Sequence, residues 1–293
     1  MINPDFKAGF VTIMGKPNVG KSTLMNQLTG ERISIVTNRA QTTRHRIFGI
    51  ITNEEHQIVY SDTPGTLDPS YKLQERMMGF VKKSLEDADI ILFMVELGEK
   101  NDHETWLEMA RQTGIPIIFA INKADLAKGS QVIDKINYWK ELYDWLDPIA
   151  FSAVTGDGID ELEKRIIDLL PNHPPYFPED ELTDKSERFI ASEIIREKIF
   201  LNYKQEIPYS SEVVVTSFKE EENIIRVAAE IYVERNTQKG IIIGKKGEGI
   251  KKLGIESRQE MEEFFGKQIH LETFVKVDKD WRKDDQKLKK YGY

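Results

Sequence analysis

The chain of 293 residues has no cysteine. That excludes a disulfide framework and any thiolate metal site, and it fits a reducing compartment. No uninterrupted apolar run reaches the length a membrane-spanning helix needs, so the reading is of a soluble or at most peripheral protein. Residues 1–7 are polar and lead directly into a strand-like run. They lack the apolar stretch of a signal peptide, so no leader is expected. Positive charge is in deficit: the formal net charge is −8, which argues against non-specific nucleic-acid binding by the whole molecule. The deficit is uneven, because residues 239–290 hold 14 Lys and Arg against 10 Asp and Glu. A basic C-terminal region therefore stands on an acidic background. Internal repeats and low-complexity tracts are also missing.

What is present suits ordinary cores: 40% hydrophobic and 31% charged residues, in a length that fits one large or two medium domains. Up to about residue 170 the pattern alternates. Strand-like runs at 10–14, 57–61, 90–95, 115–121 and 148–151 are separated by helical stretches at 72–87, 103–113, 132–146 and 159–170. Such alternation predicts a mostly parallel α/β sheet with helices on both faces and a ligand beyond the carboxyl ends of the strands. An extra strand at 46–52 is expected to pair antiparallel with 57–61. Four prolines within residues 171–178 cannot continue a helix, so 171–185 reads as a semi-extended linker. A second, α+β part follows over 186–278. It comprises a helix at 186–205, a hairpin of 212–218 with 223–234, an apolar strand-like run at 240–243, helical stretches at 250–253 and 255–265, and a strand at 268–277. Residues 279–293 read as a charged tail, helical near its start.

The first chemical signal is GKPNVGKST, residues Gly15, Lys16, Pro17, Asn18, Val19, Gly20, Lys21, Ser22 and Thr23, between a strand-like run and a helix. Glycines let the backbone bend around phosphates, and the helix N-terminus favours an anion. Lys21 can reach the β- and γ-phosphates, and the Ser22 hydroxyl can ligate Mg²⁺. The second signal is DTPG: Asp62 can hold the Mg²⁺ hydration shell and the Gly65 N–H can contact a γ-phosphate, with Thr63 and Pro64 between them. A simple turn would carry the same four residues. The third is NKAD, where the Asp125 carboxylate can accept from N1–H and the 2-amino group of guanine. Adenine offers neither donor, and such readout discriminates by roughly 10⁴-fold. Lys123 would lie over the base and Asn122 would brace the phosphate loop. Ser152 and Ala153 would offer backbone N–H groups to the guanine carbonyl. Between the first two signals lies QTTRHR. A threonine here can ligate Mg²⁺ only while a γ-phosphate is present, which makes the loop a switch. Thr43 is the preferred ligand and Thr42 the reserve.

GKPNVGKST, QTTRHR, DTPG, NKAD and the SA pair resemble the five guanine-nucleotide motifs of translation-factor-type GTPases. With its second part, the chain resembles over essentially its full length the Era family of bacterial ribosome-assembly GTPases. The resemblance implies a Ras-like P-loop GTPase domain (1–170) followed by a type II K-homology (KH) RNA-binding domain (186–278). It implies GTP and GDP with Mg²⁺ as cofactors, and the 3′ region of small-subunit ribosomal RNA and the 30S subunit as partners. A monomeric cytoplasmic protein is expected, with weak peripheral inner-membrane association as a further expectation. The Gly244-Lys245-Lys246-Gly247 loop matches the KH loop that clamps about four single-stranded nucleotides. Ile241 and Ile243 would line the groove, with core as the alternative role for the isoleucines. A solvated turn would also carry these lysines.

The candidate catalytic set is Lys21, Thr43, Gly65 and Asn18. Thr66 and Leu67 follow Gly65, where many small GTPases place a water-orienting glutamine, so slow intrinsic turnover is expected. Asn18 resembles the asparagine of potassium-activated relatives, where K⁺ would stand in for an arginine finger; the other reading is a turn residue. A membrane-surface module using the lysines of 279–290 is the alternative function, weakened by the aspartates among them.

Overall fold

The computed structural model describes residues 5–100 and 104–293. The start of the polar N-terminal lead (1–4) and His103, expected to open the third helix, lie outside the described residues.

In chain order the elements are β1 (Lys7–Gly15), α1 (Lys21–Thr29), β2 (Ile47–Thr52), β3 (His56–Asp62), α2 (Lys72–Glu86), β4 (Ile90–Glu96), α3 (Glu104–Gln112), β5 (Ile117–Asn122), α4 (Gln131–Leu142), β6 (Ile149–Ala150) and α5 (Ile159–Leu169). Then come α6 (Glu187–Asn202), α7 (Ile207–Ser210), β7 (Glu212–Glu220), β8 (Ile224–Val233), α8 (Asn236–Ile243), α9 (Glu248–Phe265), β9 (Gln268–Val277) and α10 (Asp285–Lys290). They form two compact units. The first holds the chain up to Ser34, Thr43–Asp68 and Met77–Asp184; the second holds Ile35–Thr42, Pro69–Arg76 and Lys185–Tyr293.

The first unit is built on a six-stranded sheet ordered β2-β3-β1-β4-β5-β6. All pairings are parallel except β2 with β3. Six consecutive residues of β4, Ile90–Val95, are buried, which requires cover on both faces and explains an unbroken apolar run. The proline-rich stretch is an extended strap fixed to this unit. The Ala8 N–H donates to the Pro171 carbonyl, and the Ile50 N–H to the Leu182 carbonyl. The buried Gln57 amide receives the N–H groups of Tyr176 and Phe177 and donates to the Phe177 carbonyl. The Phe48 N–H donates to Asp184 Oδ1 at 2.9 Å. These bonds cover an otherwise open sheet edge.

The second unit has a three-stranded sheet ordered β7-β8-β9, antiparallel then parallel. Helix α6 is capped by Ser186, whose side chain accepts from the Phe189 N–H. The strand-like reading of 240–243 is corrected: Asn236–Ile243 is helix α8. The β-branched run is read by tertiary packing rather than by local propensity. Residues after Asp278 are also more than a charged tail. Trp281, Leu288, Tyr291 and Tyr293 are buried, the Trp281 indole donates to the Ser210 carbonyl at 3.0 Å, and the Tyr293 hydroxyl donates to Glu212 at 2.6 Å. Among the described residues, no helix is long and apolar enough to cross a membrane.

Candidate nucleotide site and RNA-facing loop

The first site gathers at the carboxyl ends of β1, β3 and β5. Gly15 closes β1 with φ 151°, and a Cβ there would lie 2.2 Å from the Met94 carbonyl oxygen. Gly20 (φ 98°) leaves room for the Asn122 side chain, whose nitrogen would lie 2.2 Å from an added Cβ. Only glycine tolerates both conditions. The Asn122 amide donates to the Val19 carbonyl at 2.8 Å, and its oxygen accepts from the Ala153 N–H at 2.9 Å. One side chain thus ties the phosphate loop to the Ser152-Ala153 loop. Ser152 Oγ donates to Asp125 Oδ1 at 2.6 Å, orienting the carboxylate expected to read the base. Lys123, in the left-handed region at φ 65°, pairs with Glu96.

Lys21 is buried and its ammonium donates to the carbonyls of Gly15 and Lys16 at 3.0 and 2.8 Å. Burial lowers its pKa to about 8, against the opposing pull of Asp62 and Glu99. Ser22 Oγ donates to Asp62 Oδ2 at 2.6 Å and shares a hydrogen bond of 2.9 Å with Thr43 Oγ1. Thr42 turns elsewhere, bonded to Thr37 and to the Arg39 carbonyl. Thr63 Oγ1 donates to the Ile13 carbonyl at 2.8 Å, and the Thr66 N–H to the Gly15 carbonyl at 3.0 Å, which fixes the Asp62–Thr66 turn against the phosphate loop. Gly65 sits so close to Pro17 that an added Cβ would lie 2.5 Å from its nitrogen. Thr66 is buried, and its hydroxyl has no hydrogen-bond partner among the described residues.

The donor set fits a hard divalent cation. Asp62 is fully buried, its Oδ1 has no hydrogen-bond partner among the described residues, and burial raises its pKa although Lys21 and the hydroxyls of Ser22, Ser34 and Thr43 oppose the rise. A buried carboxylate with an idle oxygen beside two hydroxyls is the kind of oxygen site Mg²⁺ shares with phosphate oxygens and water. No cluster of three or more His, Cys, Asp or Glu suited to a metal occurs among the described residues.

Asn18 is exposed at φ 66°, a conformation asparagine tolerates, so the turn alone gives it a local reason to be there. Sequence reasoning missed Glu96 and Glu99. Glu99 lies 3.5 Å from the Lys16 ammonium and accepts from the Glu96 N–H. Nothing in their local spacing marks them, since only the fold brings the β4 end to the phosphate loop.

In the second unit, the Gly244–Gly247 loop joins α8 to α9. Gly244 has φ 71°, Lys246 φ 53° and Gly247 φ 83°, and an added Cβ on Gly244 would lie 2.7 Å from the Gly249 nitrogen. Lys245 and Lys246 are exposed. Ile241 is 52% exposed, Ile243 half-buried and Ile242 fully buried, so Ile242 is the core residue of the three. Phe274 on β9, not singled out in the sequence, is 53% exposed; the period-two alternation of that strand was the signal that could have found it.

A model of the 50S ribosome-binding GTPase family matches residues 10–123, and a KH-domain model matches residues 206–282. The GTPase Era of Geotalea daltonii is 45% identical over 296 residues, covering 100% of both chains. That of Syntrophus aciditrophicus is 45% identical over 292 residues, covering 98% of this chain and 95% of that relative. The chain belongs to the Era family of GTPases. Its α/β and KH architecture matches a solved Era in complex with MgGDPNP and nucleotides 1506–1542 of 16S ribosomal RNA, at TM-score 0.94 and 39% identity, covering 98% of this chain and 99% of that one. A variant of Aquifex aeolicus Era bound to GDP and AlF₄⁻ matches equally, at TM-score 0.94 and 39% identity over 98% of this chain and 99% of that one. As an Era-family member the chain is a guanine-nucleotide-binding GTPase.

Proposed function

We propose that the protein is a GTP-driven switch that binds the 3′ region of small-subunit ribosomal RNA and acts in 30S assembly, as a monomer in the cytoplasm. The reading is supported by one chain that holds both the Ser22–Asp62 and Asn122–Ala153 hydrogen bonds and a Gly244–Gly247 loop of positive φ with two exposed lysines. The small-subunit assignment draws on the 16S RNA in the solved relative. The 50S label belongs to the model that matches the GTPase half alone.

Lys21 holds the β- and γ-phosphates, Asp125 reads the base, and Ser22, Thr43 and Asp62 hold Mg²⁺. When bound, the ion neutralises charge developing between the β- and γ-phosphates. The Gly65 N–H meets the γ-phosphate. With Thr66 where a water-orienting glutamine would stand, turnover is slow until an ordered switch or a partner places the water. Asn18 would help hold a K⁺ ion, which would supply a further positive charge; otherwise it serves as a turn residue. Equal hydrolysis rates in K⁺ and Na⁺ at matched ionic strength would remove Asn18 from the catalytic set.

The lysines of Gly244–Gly247 neutralise RNA phosphates. Replacing Lys245 and Lys246 by Glu weakens RNA binding, most visibly at low salt, and leaves GDP affinity intact. Unchanged RNA affinity would refute the assignment. A membrane-surface role draws no support from the relatives, and part of the charge it relied on is engaged within the unit: Lys287 pairs with Asp278. Flotation with anionic vesicles tests whether any peripheral fraction exists.

A further inference from the structure

Residues 35–42 pack within the second unit, against helix α6, and end one residue before Thr43. The Val36 N–H donates to Glu197 Oε1 at 3.2 Å, and the Arg39 guanidinium donates to the Tyr203 carbonyl. The innermost anchor is Arg196. Its side chain is 1% exposed and it makes a two-pronged pair with Glu193, at 2.7 Å from Nε and 2.5 Å from Nη2. Nη2 also donates to the Thr42 carbonyl at 2.5 Å. Burial alone would weaken the arginine's charge, but Glu193 outweighs it and keeps the guanidinium firmly protonated.

A buried arginine held by a carboxylate and aimed at a single main-chain carbonyl is a costly arrangement. An exposed loop needs no such anchor. Its geometric consequence follows from peptide planarity: fixing the Thr42 C=O fixes the plane that also carries the Thr43 nitrogen and Cα. The Thr43 hydroxyl is the group that stands 2.9 Å from Ser22 Oγ beside Asp62. The Thr42 side chain is tied down separately, through Thr37 and the Arg39 carbonyl, so Thr42 is held by its side chain as well as its carbonyl.

We propose that Arg196 is a positioning residue of the GTPase site: by holding the Thr42 carbonyl it presents the Thr43 hydroxyl to the metal that accompanies GTP. Arg196 thereby acts on Thr43 through the Thr42–Thr43 peptide alone. The inference rests on the reading of Thr43 as a ligand made only in the GTP state.

The test compares GDP and a non-hydrolysable GTP analogue, with and without Mg²⁺, in full-length protein. The variants are Arg196→Lys, the paired Glu193→Gln/Arg196→Met, Thr43→Ala, and Arg196→Lys combined with Thr43→Ala. A lysine lacks the planar fork by which Nε and Nη2 grip Glu193 while Nη2 also reaches Thr42, and the paired change removes both charges and leaves none buried alone. The expected result is a loss of about tenfold in GTP-analogue affinity with Mg²⁺ for either Arg196 variant, GDP affinity within twofold of wild type, and a lower kcat. In the Thr43→Ala background, Arg196→Lys causes no further loss. Equal losses for both nucleotides, no loss, or additive losses with Thr43→Ala would overturn the inference. A wild type whose GTP-analogue affinity ignores Mg²⁺ would overturn the metal reading and the inference together. Wild-type Mg²⁺ dependence with unaffected variants overturns the inference alone.

Discussion

Replacing Asn122 by Ala probes the joint on which the nucleotide site depends. The Asn122 side chain is 3% exposed and serves two buried main-chain groups at once, the Val19 carbonyl and the Ala153 N–H. Val19 and Ala153 are themselves 1% and 2% exposed, so water does not easily replace the lost partner. Each buried group left unsatisfied costs about 1–3 kcal/mol. Part of that cost is relieved by local relaxation, so a total of about 2–4 kcal/mol is expected, or roughly 30- to 1,000-fold in GDP affinity if it falls on binding. Fluorescent-GDP titration measures the affinity, and thermal unfolding without nucleotide shows how much of the cost falls on the fold. Asn122→Asp separates the two bonds: it keeps an acceptor for Ala153 but sets a carboxylate against the Val19 carbonyl. Its damage therefore falls on the phosphate loop. Asn122→Ala with GDP affinity within threefold of wild type and an unchanged melting temperature would refute the reasoning.

Three further perturbations follow from the same geometry. Gly65→Ala forces the Asp62–Thr66 turn away from Pro17, because the added Cβ would lie 2.5 Å from the Pro17 nitrogen; GTP-analogue affinity falls about tenfold or more while GDP binding changes little, and equal effects on both would contradict the γ-phosphate role. Trp281→Ala removes a fully buried indole and its bond to Ser210, at a cost of about 3–5 kcal/mol, read as early melting of the second unit; an unchanged unfolding profile would restore the picture of a loose charged tail. Asp278 answers to pH: burial raises its pKa, but hydrogen bonds from Lys287 and Tyr291 with the nearby lysine charges outweigh burial, and the net shift is downward. A lowered carboxylate stabilises the fold above its unfolded value, and the benefit is lost as pH falls through the folded value. The stability gap between wild type and Asp278→Asn stays constant from pH 7 to about 4 and closes below that, and a gap that persists into stronger acid would contradict the pairing.

Residues that act through local pattern were legible in the sequence. The run Ile90–Val95 read as a strand and is one, buried over all six residues, and the spacing of Gly15, Gly20 and Lys21 after a strand favoured a phosphate loop over an ordinary turn. Residues that act through distant partners were not. Gln57 sits in a strand where a polar side chain reads as solvent-facing, yet its amide holds the proline-rich strap. Arg196 and Glu193 look like a surface ion pair one turn apart on a helix, and only the fold buries them under Thr42. Thr42 and Thr43 were separable only by preference, because adjacent residues share their local context and differ only in direction. The three isoleucines of α8 misled in the opposite way: β-branched side chains suggested a strand, but Ile242 alone needed burial and helical geometry supplied it. The aromatic residues after Asp278 were hidden among charges, where the spacing of Trp281, Leu288 and Tyr291 is too sparse to announce a core.

The account's central claim is that nucleotide state governs RNA engagement in one chain. The most direct measurement is the affinity of the full-length protein for a 3′-terminal 16S ribosomal RNA oligonucleotide, once with GDP and once with a non-hydrolysable GTP analogue and Mg²⁺. The account predicts tighter binding in the GTP-analogue state, with the difference abolished by Thr43→Ala. Equal RNA affinity in the two nucleotide states would contradict it.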